Sequence, residues 1–208
     1  MSRIGNKIIE IPAGVSVEVS NSSLPTTGHS GSLVSVTGPN GTVLVQEVRA
    51  KVFVVVEGDK IHVKRHDDEN QSKAYHGLYN RLIQNMIVGV TKGFTKTLIL
   101  NGVGYKAAMK GENLMLNLGM SHPSEVKAEK GIKLKVCTPQ EVQALNLGKE
   151  GVGAVIQVSG ASKEQVGMMA SKIRDLRPVE PYHLYGIRYS NERVVRKESK
   201  SGAKGKKK

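Results

Sequence analysis

The hydrophobic pattern of the first seventy residues predicts short strands joined by turns. Apolar and polar residues alternate with period two at residues 15–19, and the segments 33–45 and 53–63 each resemble a hairpin. Residues 21–32 are rich in Ser, Thr, Gly and Pro and predict a flexible loop. In the first hairpin we expect Asn40-Gly41 to be a central pair with positive φ at both residues. In the second we expect a Gly58-Asp59 turn.

A helix is predicted after these strands. Acidic and capping residues at 67–72 mark its start, and Gly89 and Gly93 mark its end. The apolar residues between them follow the i, i+3, i+4, i+7 spacing of an amphipathic helix that covers a sheet. The predicted apolar stripe is Tyr75, Leu78, Tyr79, Leu82, Ile83, Met86, Ile87 and Val90.

The second half of the chain repeats this order of strands followed by a helix. Strands are predicted at residues 95–100 (continued by 102–109), 114–118, 132–136 and 154–158. A capping box at Ser162–Gln165 then precedes an apolar stripe of Val166, Met169, Ala170, Ile173 and Leu176, which Pro178 stops.

The repeated order predicts an α+β fold of two similar domains, each a small mainly antiparallel sheet packed against one helix. We expect an N-terminal domain at residues 1–92, a C-terminal domain at 93–187 and a basic extension at 188–208. The linker is predicted at residues 90–95.

The charge is distributed unevenly between these segments. The chain of 208 residues has a net charge of +13, of which residues 1–91 carry +1, residues 92–187 carry +5 and residues 188–208 carry +7. A solubilising tail is one explanation for the last segment. The basic body that precedes it favours a second explanation, an arm that neutralises phosphates. A polyanionic partner is therefore expected: nucleic acid first, an anionic membrane surface second.

Composition excludes several classes of protein. The single cysteine, Cys137, cannot form an internal disulfide or a multi-cysteine zinc site. The longest strongly apolar run, residues 52–56, is far shorter than the ~20 residues that span a bilayer, and the first residues show no secretory signal. We therefore expect a reducing, cytosol-like compartment.

No constellation of residues argues for catalysis or for a cofactor. Residues 102–107 match the glycine pattern of dinucleotide sites, but the residues after them predict strand, turn and strand rather than the helix that binds a pyrophosphate. The glycines of 148–151 predict a hairpin turn. His62 and His66 are expected at a strand end about 13 Å apart, too far to share a metal. Cys137 is expected to be a small half-buried residue, and Ser121-His122-Pro123 an exposed turn.

Residues 177–197 form the most informative segment of the sequence. Three of the six tyrosines lie here among arginines, while Pro178 and Pro181 keep the entry extended. Aromatic faces stack on bases or riboses, and guanidinium groups bind phosphates in a forked geometry, which is typical of RNA binding. The structural alternative is an extended strand that closes the second sheet, and the two are compatible.

At this point the chain resembles a known family, the bacterial-type large-subunit ribosomal protein six. Several short motifs match in order along the whole chain: Ser2-Arg3-Ile4-Gly5, residues 11–15, Gly38-Pro39-Asn40-Gly41, residues 85–94, residues 100–107, residues 119–123, residues 173–178, Glu180-Pro181-Tyr182 and Gly186-Ile187-Arg188-Tyr189. The sequence departs from the family in two places. The loop at 21–32 is longer, and His183-Leu184-Tyr185 stands where the family usually carries Lys-Gly-Lys.

The resemblance implies a structural protein without a reaction or cofactor of its own, part of the cytoplasmic ribosome. Its partners would be large-subunit ribosomal RNA and neighbouring ribosomal proteins, with translation factors nearby, and no membrane or small-molecule substrate. RNA binding would lie mainly in the C-terminal domain and extension, near the elongation-factor-binding region. The expected RNA-binding residues are Lys92, Lys106, Ser121, His122, Arg174, Arg177, Tyr182, His183, Tyr185, Arg188, Tyr189, Arg193, Arg196, Lys197 and Lys200.

Two alternatives remain open on the residues alone. A free regulatory RNA- or DNA-binding protein would show the same basic end. An enzyme acting on nucleic acid would need a carboxylate cluster for a metal, and residues 67–69 offer the only candidate, on the near-neutral half.

Overall fold

The computed structural model describes residues 3–23, 30–145, 152–198 and 200. The chain divides into two compact units. Unit 1 comprises residues 1–94 with 161–163, and unit 2 comprises residues 95–160 with 164–208. No helix of the described segments is both long and apolar enough to cross a membrane.

The described part of unit 1 forms two small antiparallel sheets and one long helix. One sheet has the order β1-β6-β5 and the other β2-β3-β4. The elements are β1 (Ile9–Glu10), β2 (Ser16–Ser23), β3 (Ser30–Thr37), β4 (Val43–Arg49), β5 (Val52–Glu57), β6 (Lys60–Arg65) and α1 (Asn70–Thr91).

One hydrophobic core joins α1 to both sheets of unit 1. Tyr79, Ile83, Met86, Ile87 and Val90 of the predicted stripe are buried, together with apolar residues of five strands. The stripe was wrong at one position, because the side chain of Leu78 is 48% exposed. At the start of α1, Glu69 is the N-cap residue but makes no capping bond, since its carboxylate pairs with Lys51 instead.

Two buried polar residues of α1 were not anticipated. The Asn80 amide donates hydrogen bonds to the carbonyls of Gly5 (3.0 Å) and Lys7 (2.8 Å) and so fixes the N-terminal segment. The imidazole of His76 contacts the carbonyl of Val63 and the guanidinium of Arg65. The His76 ring nitrogens and the Asn80 amide nitrogen therefore have the partners that buried polar groups require, whereas the Asn80 Oδ1 atom has none among the described residues.

Both predicted hairpins of unit 1 form, but the turn of the first differs from the prediction. Only Gly41 has positive φ there, at +71°, because Pro39 and Asn40 occupy a turn closed by a bond from the Gly41 N–H to the Gly38 carbonyl. The loop predicted at residues 21–32 was wrong where it could be compared, because the pairing of β2 with β3 continues to Ser23–Ser30 and residues 21–23 and 30–32 are strand. Residues 24–29 lie outside the described segments.

Unit 2 contains a three-stranded and a four-stranded sheet. The first has the order β10-β9-β8 and the second β11-β12-β7-β13. The elements are β7 (Phe94–Asn101), β8 (Lys106–Lys110), β9 (Asn113–Asn117), β10 (Ser124–Val126), β11 (Ile132–Val136), α2 (Pro139–Ala144), β12 (Val152–Gly160), α3 (Lys163–Asp175) and β13 (Gly186–Tyr189).

The predicted elements of unit 2 are largely present. Val166, Met169, Ala170 and Ile173 of α3 are buried as expected, and Leu176 is half-buried just beyond its end. The expectation that residues 102–109 continue β7 was wrong, because β7 and β8 belong to different sheets. The short helix α2 was not predicted. The turn expected at 148–151 lies outside the described residues.

The α+β class with two similar domains is confirmed, although the strands of each unit form two sheets where one was expected. The boundary proposed between residues 92 and 93 stays a prediction. Lys92 and Gly93 are the residues between α1 and β7.

Candidate nucleic-acid interface

Residues 177–186, here called the strap, connect α3 to β13 in a closed loop. At its base the Ile187 N–H donates to the Arg177 carbonyl at 2.9 Å. Across its middle the Glu180 N–H donates to the Tyr185 carbonyl at 2.9 Å, and the Leu184 N–H donates to the Glu180 carbonyl at 3.0 Å. Because these bonds close successive turns, the strap presents its side chains from a defined backbone.

Two residues of the strap adopt backbone conformations that restrict what can occupy them. Leu184 has φ +63°, which is uncommon for a branched apolar residue. The Asn101 amide donates to its carbonyl at 2.9 Å and helps to hold it there. Gly186 has φ +137°, and a Cβ at this position would lie 2.6 Å from the Pro178 carbonyl oxygen. The residue types alone did not predict the positive φ of Leu184 or the close backbone contacts of Gly186.

The strap exposes three aromatic side chains. Tyr182 is 44% exposed and Tyr185 is 37% exposed. The rings of His183 and Tyr185 stack with centroids 5.4 Å apart and planes at 25°. The structure therefore brings together three predicted RNA-binding residues on the solvent side of the strap.

The basic extension lies against the strap. The Lys197 N–H donates to the Pro181 carbonyl at 2.9 Å, and the Arg196 Nε–H donates to the Tyr182 carbonyl at 2.9 Å. Arg196 and Lys197 are exposed. These contacts place the cations of the extension beside the aromatic residues, as the interleaved sequence suggested.

Tyr189 and Arg174 form a half-buried cluster with Glu192. The Arg174 guanidinium donates two hydrogen bonds to the Glu192 carboxylate, at 2.8 and 3.2 Å, and stacks over the Tyr189 ring at 5.6 Å. The Tyr189 N–H also donates to this carboxylate. Lys96 lies over the same ring at 5.7 Å. Arg174 therefore holds the start of the extension through its ion pair with Glu192. Its position in the sequence did not indicate this role.

The hydrogen bonds from Arg174 hold the pKa of the Glu192 carboxyl below its usual range, and the bond from the Tyr189 backbone acts in the same direction. A depressed pKa in the folded state stabilises the fold at pH values above the unfolded pKa, about 4.3. This stability is lost as the pH falls through the folded-state value.

We expect Glu192→Gln to lower the free energy of unfolding by about 1 kcal/mol at pH 7, the upper end for a partly exposed pair, because it removes a bidentate ion pair. The deficit should shrink as the pH falls towards 3, since acid protonates the wild-type carboxyl. Urea unfolding across this range measures it. Arg174→Gln is the matched control and should cost a similar amount at pH 7. A deficit for Glu192→Gln that is constant with pH would contradict the role assigned to the carboxylate.

The remaining predicted residues lie at several places. Arg177, Arg193 and Lys200 are exposed along the strap and extension, and Arg188 on β13 is half-buried, with an Nε atom that has no partner among the described residues. Lys106 on β8 is exposed on the other sheet of unit 2, and Ser121 and His122 are exposed in the turn between β9 and β10. Lys92 is exposed after α1 in unit 1.

The structure also places the motifs for which no catalytic or cofactor role was predicted. Residues 102–105 lead into β8 and not into a helix, which removes the dinucleotide interpretation. Cys137 is more buried than predicted, and burial raises the pKa of its thiol, which disfavours a nucleophilic thiolate. Within the described segments, no group of three or more His, Cys, Asp or Glu side chains is placed to hold a metal.

Comparison with known proteins identifies the family. Residues 11–93 and 101–190 match the model of the family described as ribosomal protein L6. The chain is 42% identical to the large ribosomal subunit protein uL6 of Moorella thermoacetica over 208 residues, all of both chains. It is 44% identical to the protein of the same name from Rubrobacter xylanophilus, over 97% of this chain and 100% of that one. The family expected from the short motifs is confirmed: the chain belongs to the ribosomal protein L6 family.

Proposed function

We propose that the chain is a structural component of the large ribosomal subunit that binds large-subunit ribosomal RNA and catalyses no reaction. The full-length relatives support this proposal, since they are named as large ribosomal subunit proteins. The partners are this RNA and neighbouring ribosomal proteins, and the location is the cytoplasmic ribosome.

We further propose that residues 93–187 are the RNA-binding domain and residues 188–208 its basic extension, near the elongation-factor-binding region, with translation factors nearby. The observation that carries this proposal is the contact between strap and extension. It places exposed Arg196 and Lys197 beside exposed Tyr182, in the part of the chain where the net charge is concentrated. Residues 1–91, which make up most of unit 1, lack this concentration, because their net charge is only +1.

Cations of the strap and extension contact phosphates, while neighbouring polar groups contact 2′-hydroxyls in the wide minor groove of folded RNA. The cations in question are Arg177, Arg193, Arg196, Lys197 and Lys200. Lys106, Ser121 and His122 provide a second exposed surface of unit 2 for the same RNA.

Crosslinking in intact ribosomes tests this assignment. We expect RNA crosslinks to map mainly to residues 174–200, with a smaller number at 106 and 121–122, and few at residues 3–91. Sedimentation of a cell extract is the companion measurement, and the protein should run with large subunits. Crosslinks concentrated in residues 3–91 would contradict the assignment to the C-terminal domain. A protein that sediments apart from large subunits would instead support the regulatory alternative.

A further inference from the structure

We propose that His183 and Tyr185 form a stacking site for one unpaired nucleobase of RNA, and that Arg196 binds the phosphate beside it. This inference rests on the proposed RNA-binding function and specifies the kind of nucleotide that the strap binds.

The two rings already form the beginning of a stack. Their centroids are 5.4 Å apart and their planes differ by 25°, within the range of offset aromatic stacking. The side chain of His183 is 65% exposed, and Tyr185 is 37% exposed. Since each ring covers only one face of the other, we infer that the exposed area of His183 includes its outer face. A nucleobase placed on that face would extend the stack by one ring.

The strap holds the two rings in place before any ligand binds. His183 Nδ1 lies 3.3 Å from the Glu180 carboxylate, which orients the imidazole. The backbone of Tyr185 is held by its carbonyl, which accepts from the Glu180 N–H, and its ring packs on the imidazole. Rings that are oriented in advance lose less conformational freedom on binding, and the affinity of the site rises accordingly.

Leu184 supplies an independent observation. It stands between His183 and Tyr185 in the sequence and has φ +63°, a conformation that costs a non-glycine residue about 1–2 kcal/mol. Backbone strain of this kind persists where the surrounding structure enforces it, and it clusters at ligand sites. Here the enforcing contacts are the bonds to Glu180 and Asn101. The strained residue is thus the one that connects the two residues whose rings stack.

The charge around the rings favours RNA as the occupant. Arg196 donates its Nε–H to the carbonyl of Tyr182, the residue before His183, and its Nη groups make no other hydrogen bond with the described residues. A guanidinium anchored in this way can bind a phosphate with its remaining donors. Lys197 adds a second cation, while Glu180 is engaged with the imidazole.

An unpaired base fits these features better than a duplex does. Bases inside a duplex are stacked on each other and present only their edges in the grooves, so that their faces are not available to a protein ring. A single-stranded or extruded base offers its π face to any aromatic side chain, whatever its identity. The site is therefore expected to distinguish unpaired from paired RNA and to be tolerant of sequence.

The test compares the full chain with the variant His183→Ala/Tyr185→Ala on two probes. One is a single strand of about 12 adenosines, a length that single-strand-binding modules cover, and the other is an RNA duplex of about 16 base pairs. Because stacking contributes about 1–3 kcal/mol per base, affinity for the single strand should fall roughly 5- to 150-fold. Affinity for the duplex should change less than about 2-fold, since its phosphate contacts are retained.

Two further variants separate stacking from other causes. The variant His183→Phe/Tyr185→Phe keeps two aromatic rings and should retain its affinity for the single strand. The variant His183→Lys/Tyr185→Lys should lose this affinity at high salt, and its affinity should depend more steeply on salt concentration. Thermal unfolding of each variant checks that the fold survives. Equal losses on both probes, or no loss on either, would overturn the inference. A separate measurement of wild-type binding to deproteinised large-subunit ribosomal RNA tests the proposed function. If the stacking inference is overturned but the wild type binds this RNA, the proposed function stands. If the wild type does not bind this RNA, the proposed function fails as well.

Discussion

Deletion of residues 193–208 is expected to weaken binding to large-subunit ribosomal RNA by at least about 100-fold at low salt. The deletion removes eight cations and one carboxylate, and so more than half of the net charge of +13. Each lost phosphate contact should flatten the logarithmic dependence of affinity on salt by about 0.7–0.9, so four lost contacts would reduce the slope by about 3. Titrations between about 50 and 200 mM salt, a range over which the affinity of such proteins falls by orders of magnitude, measure both effects.

The structure determines where the deletion should begin. Glu192 must stay because it bonds to Arg174 and to the Tyr189 backbone, and Tyr189 pairs with Leu98 in the four-stranded sheet. The matched control keeps the full length and replaces the same eight cations by Gln. This control should flatten the slope to the same extent. A deletion variant with the slope of the wild type would show that the extension makes no phosphate contacts.

Gly186→Ala is expected to lower the free energy of unfolding by roughly 4 kcal/mol, from backbone strain and overpacking together. The new Cβ would meet backbone atoms, which cannot rotate away: the Pro178 oxygen at 2.6 Å, the Val179 Cα at 2.8 Å and the Arg177 oxygen at 2.9 Å. The φ of +137° adds a conformation that an L-residue rarely adopts. Since domains are stable by only about 5–15 kcal/mol, unit 2 should approach its unfolding threshold at 37 °C, as urea denaturation can measure.

Gly104→Ala isolates the contribution of the backbone conformation. Gly104 also has positive φ, +75°, but its added Cβ would meet no atom within 4 Å. We expect this variant to cost about 1–2 kcal/mol, from the left-handed conformation alone. If both variants lower the free energy of unfolding equally, the close contacts of Gly186 with residues 177–179 contribute nothing to stability. That result would contradict tight packing at the base of the strap.

The fold class could be predicted because hydrophobic period is a local property of the chain. The stripe at Val166, Met169, Ala170 and Ile173 predicted α3 correctly from spacing alone. Assignment of strands to sheets failed where it depended on distant pairing. Residues 102–109 have the composition of a continuing strand, but Gly102 and Gly104 both adopt positive φ and turn the chain away into another sheet.

The candidate site divides in the same way. The tyrosines and arginines of residues 177–197 predicted an RNA-binding surface, because the composition of a segment can be read directly from the sequence. The pairing of Arg174 with Glu192 joins residues 18 positions apart, so neither indicates the other in the sequence. Asn80 is a further example, since its partners Gly5 and Lys7 lie more than 70 residues away. Side chains whose role is set by a distant partner are those that local patterns miss.

The position of β13 in its sheet sets an order of events during synthesis. Gly186 pairs with Asn101, which is made 85 residues earlier, and Tyr189 pairs with Leu98. Translation adds about 5–20 residues each second, so β13 becomes available to pair with β7 only several seconds after β7 has been synthesised. The strands of unit 1 and α1 have all been synthesised once residue 91 is added, so these elements do not wait for a distant strand. The strap and its aromatic residues can therefore be assembled only at the last stage of synthesis, after most of the chain has had time to fold.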